Sequence, residues 1–148
     1  MRRRTLIPAA LATLAAPALA RPALAQQGPP HEWLFGTWTG GIFPALDTQG
    51  PRCFGDAVVI FTRDVVMRMA SLDVAYRQRL IETVAVTPDG VEFRFLPLQA
   101  PGGRLPPESG FGCNGNPNLL RVTRRNDNEI AFTNCVEFPS VLRRCRTS

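Results

Sequence analysis

The strongest constraint on this chain is a succession of short apolar segments with a two-residue period, joined by links too short to hold a helix. Val65, Met67 and Met69 fall on one face of such a segment and Val66, Arg68 and Ala70 on the other, as in a strand. Arg63-Asp64 links it to residues 57–62, which makes a hairpin. Residues 76–86 and 91–96 flank Thr87-Pro88-Asp89-Gly90; there Pro suits the second position of a turn, and Gly is expected to supply a positive φ. Residues 119–124 and 129–134 flank Arg125-Asn126-Asp127-Asn128, with Leu120, Val122, Ile130 and Phe132 as inward candidates. Residues 141–146 follow a turn at Phe138-Pro139-Ser140, and residues 36–43 supply the first strand. No window carries a helical stripe. The predicted fold class is all-β, an antiparallel up-and-down barrel of about eight strands, since that number lets a sheet close and remove its edges. An open β-sandwich would give the same pattern.

Residues 1–25 read as a cleaved export signal peptide. Arg2, Arg3 and Arg4 form its charged end, residues 6–20 its apolar run, and Ala23-Leu24-Ala25 its cleavage site. Pro8, Pro17 and Arg21 leave too short an apolar run for a comfortable span, which takes about 20 residues, so no membrane span is expected after leader cleavage. Arg3-Arg4-Thr5-Leu6-Ile7 is similar to a twin-arginine signal, and general secretion is the other route. The expected localisation is periplasmic or secreted. Residues 26–34 read as a linker and residues 35–148 as a single domain, enough for one core.

Leader removal takes four of the 17 basic residues and leaves 13 arginines against 12 acidic groups. That balance does not form the basic face that phosphate neutralisation needs, so no nucleic-acid partner is expected. The only bias is in residues 121–148, with six arginines and three acids. Four cysteines in the exported part read as two disulfides, and no Cys-x-x-Cys suggests a metal or redox site. No cofactor is expected.

Hydrolytic chemistry needs a nucleophile with a base. The single histidine, His31, falls in the linker, where an exposed position is expected. Asp56, Asp64, Asp89 and Asp127 sit beside turns, where Asp serves local hydrogen bonding. A non-enzymatic protein, a monomer, is the expectation. Along residues 76–86, alternation puts Tyr76, Gln78 and Glu82 on one face with Leu80 and Val84, against Arg77, Arg79 and Ile81 on the other. With the first face inward, Tyr76, Gln78 and Glu82 become ligand-binding candidates in an apolar lumen. A bulge near Leu80-Ile81 would switch the phase and return them to water. Met67 and Met69 are candidates for an adaptable pocket wall.

Phe35-Gly36-Thr37-Trp38, a Gly-x-Trp at the start of the first strand of a meander, resembles the lipocalin and fatty-acid-binding group of barrels. The resemblance implies a small, partly apolar ligand held in the lumen with Trp38 among its surroundings. It also implies an arginine from the last strand packed across that Trp, a role open to Arg143 or Arg144. The alternative function is a periplasmic inhibitor or interaction protein acting on a protease or lysozyme through residues 99–118. That loop is stiffened by Pro101, Pro106, Pro107 and Pro117, with Phe111 as an anchor and Arg104 beside it. The partner is thus a small apolar molecule or a secreted hydrolase. Counting strand directions places Cys53 and Cys113 in connections at one end, so Cys53–Cys113 is expected. A reversal near Ser140 would set Cys145 opposite Cys135 for the second bridge. The rival pairing is Cys113–Cys135 with Cys53–Cys145.

Overall fold

A computed structural model of the protein describes residues 28–50, 53, 57–69, 77–98, 113 and 115–146. A single 3-10 turn, Glu32–Leu34, precedes eight strands: β1 Gly36–Gly40, β2 Val58–Phe61, β3 Val65–Met69, β4 Arg77–Thr87, β5 Gly90–Phe95, β6 Leu119–Asn126, β7 Glu129–Phe132 and β8 Leu142–Arg144. Each strand pairs with the next and β8 returns to β1, giving a closed antiparallel barrel. Trp38 lies opposite Arg144 and Thr39 opposite Arg143, so the first and last strands satisfy each other's backbone groups and no sandwich edge remains between them.

The short links act as the sequence requires, with one difference. At the β2–β3 turn, the Thr62 hydroxyl donates to the Val65 carbonyl (2.8 Å) and accepts from the Val65 N–H (3.1 Å). At the β4–β5 turn, Thr87 faces Gly90, yet Gly90 is not among the positive-φ residues. Glycine is needed there because a Cβ would run into the Val122 carbonyl of β6.

Inward side chains from all eight strands meet in one core. Trp38, Val59, Phe61, Val66, Val91, Phe93, Phe95, Leu120, Val122, Ile130, Phe132 and Leu142 are buried, with Ile81 and Val84 of β4 packed against them. The rings of Phe61, Phe93, Phe95 and Phe132 approach one another at 5.6 to 6.4 Å between centroids. An eight-stranded barrel is just wide enough for side chains to fill, and aromatic rings fill this one.

The two ends of the barrel differ. Residues 28–35 enter beneath one end and stopper it, with Leu34 fully buried. His31 is also buried, only 2% exposed, correcting the exposed linker position expected of it. Its Nε2 lies 3.2 and 3.1 Å from the carbonyls of Thr62 and Arg63, and Phe35 and Phe93 flank the ring edge-on. The segment read as a linker therefore packs with the barrel from at least His31 onward. The opposite end, the loop end, bears the β3–β4, β5–β6 and β7–β8 connections and the start of the β1–β2 connection.

The disulfides are Cys53–Cys145 and Cys113–Cys135, the rival pairing, which overturns Cys53–Cys113 and Cys135–Cys145. The strand count and directions stand; the register of β8 is the cause. Ile130 faces Leu142 and Glu129 faces Arg143, so Cys145 lies level with the β6–β7 turn and far along the barrel from Cys135. Its N–H donates to the Thr37 carbonyl at 2.8 Å, near the stoppered end. The β1–β2 connection starts at the loop end but doubles back along the outside, where Gln49 bridges in parallel to Arg146, and so delivers Cys53 to Cys145. Cys113 and Cys135 meet at the loop end in an antiparallel bridge.

Candidate functional site

Chain direction places the β5–β6 and β7–β8 connections at the loop end, and two buried arginines tie them to the barrel. Arg79, on β4, is 2% exposed. It donates to the Leu96 carbonyl (3.0 Å), the Asn118 side-chain carbonyl (2.5 Å) and the Pro117 carbonyl, while its guanidinium lies 5.2 Å from the Phe95 ring centroid. Burial pushes the Arg79 guanidinium below the ordinary arginine value, and the surrounding carbonyl oxygens and aromatic face offset the desolvation that burial imposes. Arg68, on β3, pairs with Glu137 of the β7–β8 connection and lies 5.7 Å from the Phe138 ring centroid. Ser140 N–H donates to the Gly41 carbonyl at 2.8 Å, which ties that connection to the end of β1. With the Cys113–Cys135 bridge, these contacts fix the ends of the β5–β6 connection and the whole of the β7–β8 connection against the barrel rim.

On this anchored rim several large apolar side chains face water. Phe43 follows β1, Leu96 and Leu98 follow β5, and Val136 and Val141 lie between β7 and β8; Phe43 is 71% and Val136 88% exposed. Leu46, and Leu80 and Val86 on β4, are exposed as well; the five at the loop end share one end of the barrel, the kind of apolar surface that suits a contact. The chemistry available here is shape-complementary apolar contact with a charged margin, of which Glu137 is part.

The residues proposed for a lumen take other places. A register shift between Ile81 and Thr83 changes the phase of β4, one residue beyond the position considered for a bulge, so Arg77, Arg79 and Ile81 turn inward before it and Val84 after it. Gln78 and Glu82 are exposed, which corrects their inward placement. Met67 and Met69 are half-buried on the outer face, opposite the buried Val66 and Arg68, so neither lines the interior. Trp38 is fully buried at the stoppered end: its Nε1–H donates to the Leu34 carbonyl (2.8 Å), and Arg144 lies 4.2 Å from its ring centroid. Tyr76, Arg104 and Phe111, like residues 1–25, lie outside the described residues.

No protein-family model, curated protein or solved structure matches the chain. The site therefore has to be read from its own residues. Arg68 and Arg79, which organise it, were not legible as inward residues: alternation set Arg68 opposite Met67 and Met69, and Arg79 opposite Gln78 and Glu82, on the faces expected to point outward. The signal that could have found them is the long aliphatic stem of arginine, which packs along apolar surface while its head reaches the rim.

Two of the turn aspartates serve local structure. Asp89 accepts from the hydroxyls of Thr87 and Thr123, both at 3.2 Å, and Asp127 accepts from Arg124 at 2.6 Å.

Proposed function

We propose that the protein is an exported, non-enzymatic interaction protein that docks a secreted hydrolase, a protease or lysozyme, on its loop end. The observation that carries this reading is the set of exposed apolar side chains, Phe43, Leu96, Leu98, Val136 and Val141, on or beside connections tied to the rim by Arg68, Arg79, the Cys113–Cys135 bridge and the Ser140–Gly41 hydrogen bond. A surface ordered before docking loses little freedom on binding. Two disulfides suit an oxidising compartment, in agreement with the leader reading of residues 1–25. The interior bears against a lumen ligand, because the rings of Phe61, Phe93, Phe95 and Phe132 occupy its middle.

A lipocalin-like lineage finds support in one arrangement. Arg144, from the last strand, lies across the Trp38 ring, the packing that the Gly-x-Trp resemblance implies, and that likeness concerns ancestry of the fold rather than a ligand.

The test is inhibition of lysozyme and of secreted serine proteases by the purified mature protein, alongside Phe43→Asp/Val136→Asp. Wild type is expected to reduce turnover of one such enzyme, and the double variant to lose about tenfold or more in potency with its melting temperature unchanged. A stoichiometric small molecule retained in a native mass spectrum, without inhibition of any hydrolase, would move the function to the interior.

A further inference from the structure

Beside the stoppered end, away from the proposed docking surface, lies a cleft of about 200 Å³ lined by Thr48, Asn128, Glu129, Arg143, Arg144 and Arg146. Three chain segments build it. Arg143 and Arg144 project from β8, while Asn128 and Glu129 come from the β6–β7 turn and the start of β7. Thr48 and Arg146 are joined where the returning β1–β2 connection pairs with the chain after β8: the Arg146 N–H donates to the Thr48 carbonyl at 2.8 Å, and the Gly50 N–H to the Arg146 carbonyl at 3.4 Å. The Cys53–Cys145 bridge closes next to that pairing, so the backbone that carries Arg146 is held in place.

The charges in the cleft do not balance. Three arginines face a single carboxylate, that of Glu129, which accepts from Arg143 Nε at 3.1 Å. Asp127, the nearest other acid along β6–β7, is paired with Arg124, and the Asp47 side chain accepts from the Gln49 N–H at 2.9 Å. Arg144 spends its N–H groups on the carbonyls of Trp33, Phe35 and Asp127, so it contributes fixed charge and little else. Arg146 has no side-chain partner among the described residues, nor do the Thr48 hydroxyl and the Asn128 amide. A guanidinium, a hydroxyl and an amide thus converge on one small space beside two further positive charges.

We propose that this cleft is a binding site for a phosphate or sulfate group. Arg146 would donate to the oxyanion, with Arg143 assisting through the N–H groups it does not give to Glu129, and Thr48 and Asn128 supplying neutral donors. Arginine suits this role because its planar fork matches tetrahedral oxyanions. Size is compatible with this role, since the cleft, at about 200 Å³, lies below the roughly 300–1,000 Å³ of pockets that enclose drug-sized molecules and holds an oxyanion. The local field agrees: burial first, and then the neighbouring charge of Arg124, push the Arg144 guanidinium down from its ordinary value, with Asp127 opposing. An anion in the cleft relieves that repulsion.

Isothermal titration of the intact, oxidised protein with inorganic phosphate, against sodium chloride at matched ionic strength, tests the site. Saturable one-to-one binding is expected with phosphate and not with chloride. Arg146→Ala, an exposed position, should weaken it about tenfold or more, the value of one lost charge-assisted pair, without lowering the melting temperature. Glu129→Gln should tighten it several-fold by freeing Arg143. Glycerol 3-phosphate separates two sources of the group: binding tighter than that of inorganic phosphate assigns the cleft to a phosphate carried on a larger molecule, and tighter binding of the inorganic ion assigns it to free phosphate. The inference is overturned if neither compound binds saturably, if chloride reproduces the heat, or if Arg146→Ala and Glu129→Gln both leave affinity unchanged.

Discussion

Trp38 and Arg144 work as one unit, and their separate replacement should show different costs. Trp38 is fully buried, and its loss opens a cavity under the 3-10 turn; Trp38→Ala is expected to destabilise by about 3–5 kcal/mol in urea unfolding. Arg144 holds the carbonyls of Trp33 and Phe35 to the last strand. Arg144→Ala should cost about 1.5–3 kcal/mol, and Arg144→Lys should recover little of it, because a point ammonium cannot reach several carbonyls and cover the indole together. A lysine variant as stable as wild type would show that charge alone, rather than the planar fork, holds the stopper. Gly36 belongs to the same unit: its φ of 115° is one that a side chain rarely adopts, and Arg144 Nη1 would lie 3.6 Å from a Cβ placed there.

The strands were legible because their signal is local. Every predicted segment overlaps an observed strand, since alternation and turn residues act within a few positions. What was not legible depended on register and on side chains reaching across the barrel. The β4 bulge between Ile81 and Thr83 reverses the meaning of the alternation that put Gln78 and Glu82 inside. The β7–β8 connection is longer than a tight reversal at Ser140, and that offset moves Cys145 to the other end from Cys135. His31 was misplaced because its burial is decided by the Thr62 and Arg63 carbonyls, 31 and 32 residues away in sequence. Arg68 and Arg79, which position the candidate site, gave no sign in the sequence that loop carbonyls and Glu137 would receive them. The bridges themselves give an element-level prediction. Cys53–Cys145 spans 92 residues and Cys113–Cys135 spans 22, so replacing the first pair with serine should cost about 1 kcal/mol more than replacing the second on loop-entropy grounds. Chemical denaturation of the two double variants measures the difference; equal costs would show that the long β1–β2 connection is held by its pairing with residue 146 rather than by the bridge.

Closure is the property of the whole molecule. The seam between β1 and β8 joins residues 38 and 144, a separation that puts much of the loop-closure entropy ahead of the last contacts. Refolding of the reduced protein, in which no bridge shortens that loop, followed by tryptophan fluorescence, is therefore expected in milliseconds to seconds, the range of barrels with non-local pairing. Microsecond refolding would mean that the seam forms from residual structure already present in the unfolded chain. The same seam orders events on the ribosome. β1 is made first and finds β2 at once, but its other side waits through the synthesis of every other strand until β8 emerges. A chain stalled before residue 142 carries a seven-strand sheet with two unpaired edges, each a template for another stalled copy. For this protein the vulnerable moment of biosynthesis lasts until β8 arrives.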